Sequence, residues 1–230
     1  MTAPKGPLEG VKVVELAHIM AGPVCGLMLA DMGADVVKVE KPQGDDTRRF
    51  LPPKIGDESA AFLMMNRNKR GVVLDLKDPR GRDALERMLR EADILIENFR
   101  RDTMERMGFG YDRLHEINPQ LVYVEISGFG RTGPYADRGG FDLIAQGMSG
   151  LMSITGEGHG RPPVKVGAPV SDITAGIIGA MGAAAAYARR LATGEGQRVD
   201  TSLFEAGITH TYWQSEIGRA SCRERVFPVV

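Results

Sequence analysis

The sequence predicts an α/β fold, a parallel sheet flanked by helices. Three observations lead there. Over the first 130 residues, short β-branched runs alternate with segments of helical period. Past Gly128 the chain turns rich in glycine and proline, as loops beyond strand ends do. A long helix of alanine and glycine follows, the composition of an element that packs closely on its neighbours.

The β-branched runs are residues 11–16, 35–40, 71–76, 94–97 and 121–127. Helical text lies between them at 23–32, 79–92 and 111–117. Strand, helix, strand at this spacing reads as βαβ units and therefore as a parallel sheet. In 79–92, Ala84, Leu85, Met88 and Leu89 recur at helical spacing, while Arg82, Asp83, Glu86 and Arg87 form a wet face. Residues 128–165 read as loops around one helical stretch, 141–151. Such loops are where α/β proteins build their sites. The Ala/Gly helix spans about 173–191 and reads as buried against the sheet.

Composition narrows the function. The chain has 230 residues, 43% hydrophobic and 26% charged, enough for one large domain or one domain and part of a second. A net charge of −1 and a pI near 6.4 argue against a nucleic-acid-binding surface. Cys25 and Cys222 are too few for a disulfide framework or a zinc site. The first ten residues lack the pattern of an export signal. The longest apolar run, residues 175–188, is short of the roughly 20 residues of a membrane span. The expected location is cytoplasmic, with no membrane partner.

The sequence carries few catalytic motifs. The string GFGRTG at 128–133 fits GxGxxG, but Pro134 and the following YADRGG cannot start the helix that a dinucleotide site requires. The four histidines have no metal-ligand spacing, and neither HExxH, GxSxG nor a P-loop occurs, so no metal site is expected. An acid remains. Asp172 lies in GAPVSDITAG (167–176), where a loop enters the Ala/Gly helix. There it serves either as an N-cap or as a positioned carboxylate nucleophile, kept ionised by the helix dipole. Spacing alone does not choose between these.

An ordered set of segments does. LEGVKVVEL (8–16), AGP (21–23), LADMGADVVKVE (29–40), NKRGVVLDLK (68–77), IENFR (96–100), RMG (106–108), GFGRTGP (128–134), GFD (140–142), the Asp172 segment and TGEGQ (193–197) together resemble class III, CaiB/BaiF-type CoA-transferases. The resemblance implies a Rossmann-like large domain over residues 1–216, with the family's second, small domain missing. It implies CoA transfer from an acyl-CoA to a small carboxylic acid through an aspartyl–CoA thioester on Asp172. CoA is then substrate, and no cofactor is permanently bound.

The resemblance also places the CoA contacts. Nucleotide contacts fall on Lys41, Leu74, Lys77, Asn98, Phe99, Arg100 and Arg106; by composition alone each cation is a solvated surface charge. Met20 and Ala21 fall beside the thiol end, and Phe141 and Asp142 near the acyl group. Met20 stands where some formyl-CoA transferases carry an amide, which argues against oxalate-type specificity. The racemase branch uses a histidine at the position of Phe141, and phenylalanine cannot move a proton. A racemase and an inactive CoA-binding fragment are the alternatives. A full-length relative is expected to form an interlocked homodimer. Residues 217–230, with Arg219, Arg223, Glu224 and Arg225 around Cys222, read as a tail foreign to the family and unstructured.

Overall fold

The computed structural model describes residues 6–217 other than residue 159, with side chains described through residue 214. Apart from residue 217, the tail singled out above lies outside the described residues.

Six strands form one parallel sheet: β1 (Lys12–Glu15), β2 (Asp35–Glu40), β5 (Lys69–Val73), β6 (Ile94–Glu97), β7 (Val122–Ser127) and β8 (Arg198–Ser202), in the order β5-β2-β1-β6-β7-β8. A small antiparallel pair, β3 (Lys54–Ile55) and β4 (Glu58–Ser59), stands apart. The helices are α1 (Ala21–Asp31), α2 (Ala60–Asn66), α3 (Pro79–Glu91), α4 (Thr103–Arg106), α5 (Tyr111–Ile117), α6 (Asp142–Met148), α7 (Val170–Thr193), α8 (Leu203–Thr209) and α9 (Tyr212–Ile217).

The strand period of two divides the core. Val13, Ile94, Ile96, Val124 and Ile126 face α1, α7 and α8, meeting Cys25, Leu29, Ala175, Ala183 and Ala206. Val14, Leu95 and Tyr123 face the other way, onto Leu85, Leu89, Met104 and Leu114 of α3, α4 and α5. The Ala/Gly helix buries its small-residue face on the sheet as its composition predicts, while Ile177, Met181 and Leu191 on the same helix are exposed. A Cβ at Gly176 would stand 2.7 Å from the Val24 Cβ of α1, and one at Gly182 would stand 2.7 Å from Val199 of β8. By length and composition α7 also qualifies as a membrane span, but its Ala175, Gly176, Gly179, Ala180, Ala183 and Ala186 are buried inside the fold.

Three departures from the sequence reading have local causes. The third strand of the sheet, β5, runs 69–73 rather than 71–76, because Val73 pairs with Glu40, the last residue of β2, and this edge strand has no further partner among the described residues. Residues 74–77 thereby leave the sheet. The helix expected at 141–151 stops at Met148; Gly150 takes a left-handed φ of 83° and opens a separate 3₁₀ turn, Leu151–Ile154. Strand β8 was not anticipated: its Arg-Val-Asp-Thr-Ser text carries one apolar residue, and it is ordered as an edge along β7.

Candidate active site

In the sheet order, connections leave β1 in one direction and β6 in the other. A crevice forms at such a switch point, outside the carboxyl ends of the strands. Here the loops after β1 and β6 are tied across it. The Asn98 side chain accepts a hydrogen bond from the His18 amide at 2.8 Å and donates one to the His18 carbonyl at 2.8 Å. The His18 and Phe99 rings lie 5.2 Å apart.

The loop after β1 is strained and held from below. Ile19, a β-branched residue, takes a left-handed φ of 65°. Its amide donates to the Asp45 carboxylate at 3.3 Å. Under it lies a buried quartet. The Lys38 ammonium meets Glu15 at 3.0 Å, Asp45 at 2.9 Å and the Ala17 carbonyl at 2.8 Å. Lys69 meets Glu15 at 2.8 Å and the Pro23 carbonyl at 2.8 Å. Each of the four side chains is no more than 3% exposed. Burial pulls Lys38 down, but Glu15 and Asp45 outweigh it and hold the ammonium above its ordinary value. Burial likewise opposes ionisation of Asp45, yet Lys38 and the Thr47 amide bring it to about 2. The charges therefore compensate one another, as buried charges must. Gly26 of α1 leaves room for the Glu15 carboxylate.

Two clefts meet at His18 and Phe99, which line both. The first, about 430 Å³, takes Lys41, Leu74 and Lys77 from the ends of β2 and β5. The second, about 330 Å³, takes Met20, Ala21, Asn98, Arg100, Phe141 and Asp172. Thus ten of the twelve residues singled out from the sequence line this joined groove. Asp142 lies behind the wall of the second cleft and Arg106 stands apart. Arg106 is exposed on α4, its guanidinium donating to Thr103 Oγ1 at 3.0 Å. A third groove, about 690 Å³, opens between the sheet and α3; of the twelve it includes Leu74 alone.

Asp172 is not the N-cap. Pro169 occupies that position, and Asp172 is the third residue of α7. The start of α7 is capped from outside, by Asp142 of α6: its Oδ1 accepts from the Ser171 amide at 2.8 Å and the Asp172 amide at 3.3 Å. The Asp172 carboxyl itself receives no hydrogen bond among the described residues. Burial, and then the Asp142 charge, push it up to about 7. The expectation that the helix dipole keeps it ionised is corrected here. Desolvation and a like charge outweigh a dipole contribution of about 0.3–1 kcal/mol. The Gly176 contact with α1 sets this helix start beside Met20 and Ala21.

Opposite, the glycine-rich loop after β7 is pinned by Arg131, 9% exposed, which pairs with Glu97 and lies 3.1 Å from Glu125. Its amide donates to Asp200 at 3.2 Å and its Nη1 to the Phe99 carbonyl at 3.3 Å. Sequence reasoning missed Arg131, the quartet and His18, whose ring is held below its usual value by burial and by Lys38. A signal existed for the quartet: Glu15 and Lys38 interrupt apolar strand text, and a charge inside a strand buried on both faces must have a partner.

Comparison with known proteins places this arrangement. The sequence pattern of CoA-transferase family III matches residues 8–225. The succinate–glutarate CoA-transferase of Agrobacterium fabrum is 49% identical over 208 residues, covering 87% of this chain and 52% of that protein. The acetyl-CoA:oxalate CoA-transferase of Acetobacter aceti is 45% identical over 206 residues, covering 89% and 53%. The crystal structure of a CaiB/BaiF family protein from Brucella suis superposes with a TM-score of 0.91 at 43% identity, over 95% of this chain and 58% of that one. The chain spans about half the length of these curated relatives. With a parallel sheet of this topology and a match over nearly its whole length, the chain belongs to CoA-transferase family III.

Proposed function

We propose that this protein transfers CoA from an acyl-CoA donor to a carboxylic acid, with Asp172 as the covalent acceptor. One observation carries the reading: a mostly buried carboxyl without a hydrogen-bond donor among the described residues opens into a cleft that joins, past His18 and Phe99, a second cleft rimmed by Lys41 and Lys77. The spacing suits a long ligand with phosphates at one end and a thioester at the other. Lysine ammonium groups at the rim supply charge for the phosphates.

The steps follow from the groups present. The Asp172 carboxylate attacks the donor thioester carbonyl, expelling CoA thiolate and forming a mixed anhydride. The thiolate then attacks the Asp172 carbonyl, freeing the donor acid and leaving an aspartyl–CoA thioester. The acceptor carboxylate runs the sequence in reverse. A carboxylate raised to about 7 is a stronger nucleophile than a solvated one, and the absence of donors leaves its lone pairs free. The first amides of α1, which intrahelical bonds leave unused, begin at Ala21 on the cleft and suit a developing oxyanion. Thioester is exchanged for thioester, so catalysis rests on positioning.

Relatives are named for succinate, glutarate, oxalate and mesaconate. Small dicarboxylic acids are accordingly the proposed substrates, with Met20 arguing against oxalate among them. Arg138 lines the Asp172 cleft and pairs with no carboxylate among the described residues, which suits a free distal carboxylate. CoA is consumed as substrate and no resident cofactor is required. The same proposal includes a cytoplasmic location and a homodimer in the full-length protein. Apolar side chains left exposed on α7 and α9, including Met181 and Trp213, support an assembly. A racemase would need a proton carrier where Phe141 stands.

Incubation with succinyl-CoA followed by mass spectrometry tests the proposal. A CoA adduct on the peptide bearing Asp172, absent in Asp172→Ala, is expected. Transfer by a folded Asp172→Ala protein would overturn it. A panel of dicarboxylic acids then ranks the acceptors.

A further inference from the structure

Beneath the Asp172 cleft lies a side chain that the reaction scheme does not use. Gln146 is fully buried on α6, one turn after Asp142 and on the same helix face. All of its amide's polar atoms are engaged. Nε2 donates to Asp142 Oδ2 at 2.6 Å and to the Ala168 carbonyl at 3.3 Å, and Oε1 accepts from the Val166 amide at 2.9 Å. Residues 161–165 and 167–168 are exposed, so Gln146 ties an otherwise solvent-facing loop to α6 just before α7 begins. The other oxygen of Asp142 holds the Ser171 and Asp172 amides. A continuous chain therefore runs from Gln146 through Asp142 to the backbone of the proposed nucleophile.

We infer that Gln146 is a positioning residue for Asp172, clamping the Asp142 carboxylate and the loop at 166–168 so that the proposed nucleophile keeps its place. The inference rests on the proposed role of Asp172. The physical reason for a glutamine is its dual character. A neutral amide both donates to a carboxylate and accepts from a backbone N–H, and it adds no charge to a site that already holds two acids. Asp142 is the charge that acts on Asp172. Across the cleft stand His18, Asp46, Arg100, Arg101 and Arg138. Loss of the clamp frees Asp142 to turn toward water and opens the loop. Both changes remove what opposes ionisation of Asp172, so its titration moves down toward an ordinary carboxylate.

Two readouts on the intact protein separate this inference from the proposal beneath it: the titration midpoint of Asp172 by carboxyl-carbon NMR, and the rate of CoA-adduct formation with succinyl-CoA. Gln146→Met removes every hydrogen bond of the amide at similar volume. It is expected to lower the Asp172 midpoint by about one unit or more, and to slow adduct formation by about tenfold or more, while donor affinity stays unchanged. Gln146→Glu keeps the acceptor for Val166 and donates to Asp142 only when protonated. It is expected to restore wild-type behaviour at low pH and lose it as pH rises. A wild-type midpoint and rate in Gln146→Met, or pH-independent wild-type behaviour in Gln146→Glu should the first variant not fold, would overturn the inference. A wild-type protein that forms no adduct would defeat the proposed function instead, and the NMR titration would still read the clamp.

Discussion

Around Asp172 the working groups are fixed by buried polar networks, whereas the cations of the adjoining cleft project from loops with few restraints. The Lys41 side chain is 43% exposed, and its one ion pair among the described residues is with Asp46 at 3.1 Å. The loop beside Met20, by contrast, rests on four buried charges, and the helix carrying Asp172 is capped by a carboxylate that is itself clamped. The difference matches the two tasks proposed for these clefts. Bond-making tolerates little misplacement, while a flexible phosphate is captured by mobile point charges that need only be near.

The largest effect is expected at Lys38. Lys38→Met leaves Glu15 and Asp45 buried without their shared cation, and removing one partner of a buried network costs about 3–5 kcal/mol. Urea denaturation is expected to register that loss; a loss below about 1 kcal/mol would place the quartet's strength elsewhere. The same depth of substitution at the exposed cleft, Lys41→Ala, is expected to leave the denaturation midpoint unchanged.

Asp172 sharpens the contrast through pH. Its proton is bound more tightly in the folded state, where the value is about 7, than in the unfolded chain near 3.8. Stability therefore falls as pH rises between those two values and is flat above the upper one. Asp172→Asn lacks this slope. At pH 8 the variant is expected to be more stable than the wild type by on the order of a few kcal/mol, with the gap closing near pH 4. A gap of equal size at both pH values would assign the effect to packing.

How much of this was legible in the sequence follows the same division. Strand and helix text gave the parallel sheet because apolar period is a local property, and residues 35–40, 94–97 and 111–117 were placed to the residue. The cleft-lining residues were legible through the resemblance, since recurring segments mark positions. The networks were not. Gln146 reads as one polar residue on an amphipathic helix, and its partners lie 20 and 22 residues away as well as one turn back. Asp172 looked like a cap because helix starts favour aspartate, but the chain supplies the cap from another helix, 30 residues earlier. Such pairings depend on tertiary approach, which no local period encodes.

At the exposed cleft the effects are smaller and act on binding. Lys41→Ala is expected to weaken CoA-ester binding by about 1.5–3 kcal/mol, the range for a hydrogen bond to a charged group. Calorimetry at two salt concentrations checks it, because a contact from an exposed ammonium fades as ionic strength rises. Unchanged affinity would return Lys41 to the solvated surface.

Arg106 gives the finest test. The resemblance places it among the nucleotide contacts with Lys41, but its guanidinium is exposed and bonded within its own helix to Thr103, while the next residue, Met107, lines the cleft. Held on Thr103, its charge acts on a bound phosphate through solvent, where salt screens exposed charges. Arg106→Ala is accordingly expected to cost CoA-ester binding less than about 1 kcal/mol, and to lose even that at high salt. A loss equal to that of Lys41→Ala, persisting at high salt, would mean that the side chain swings off Thr103 to make a direct contact. The double variant separates the two cases: a cation acting at long range adds its small effect independently of Lys41, whereas two cations gripping one phosphate give losses that do not add.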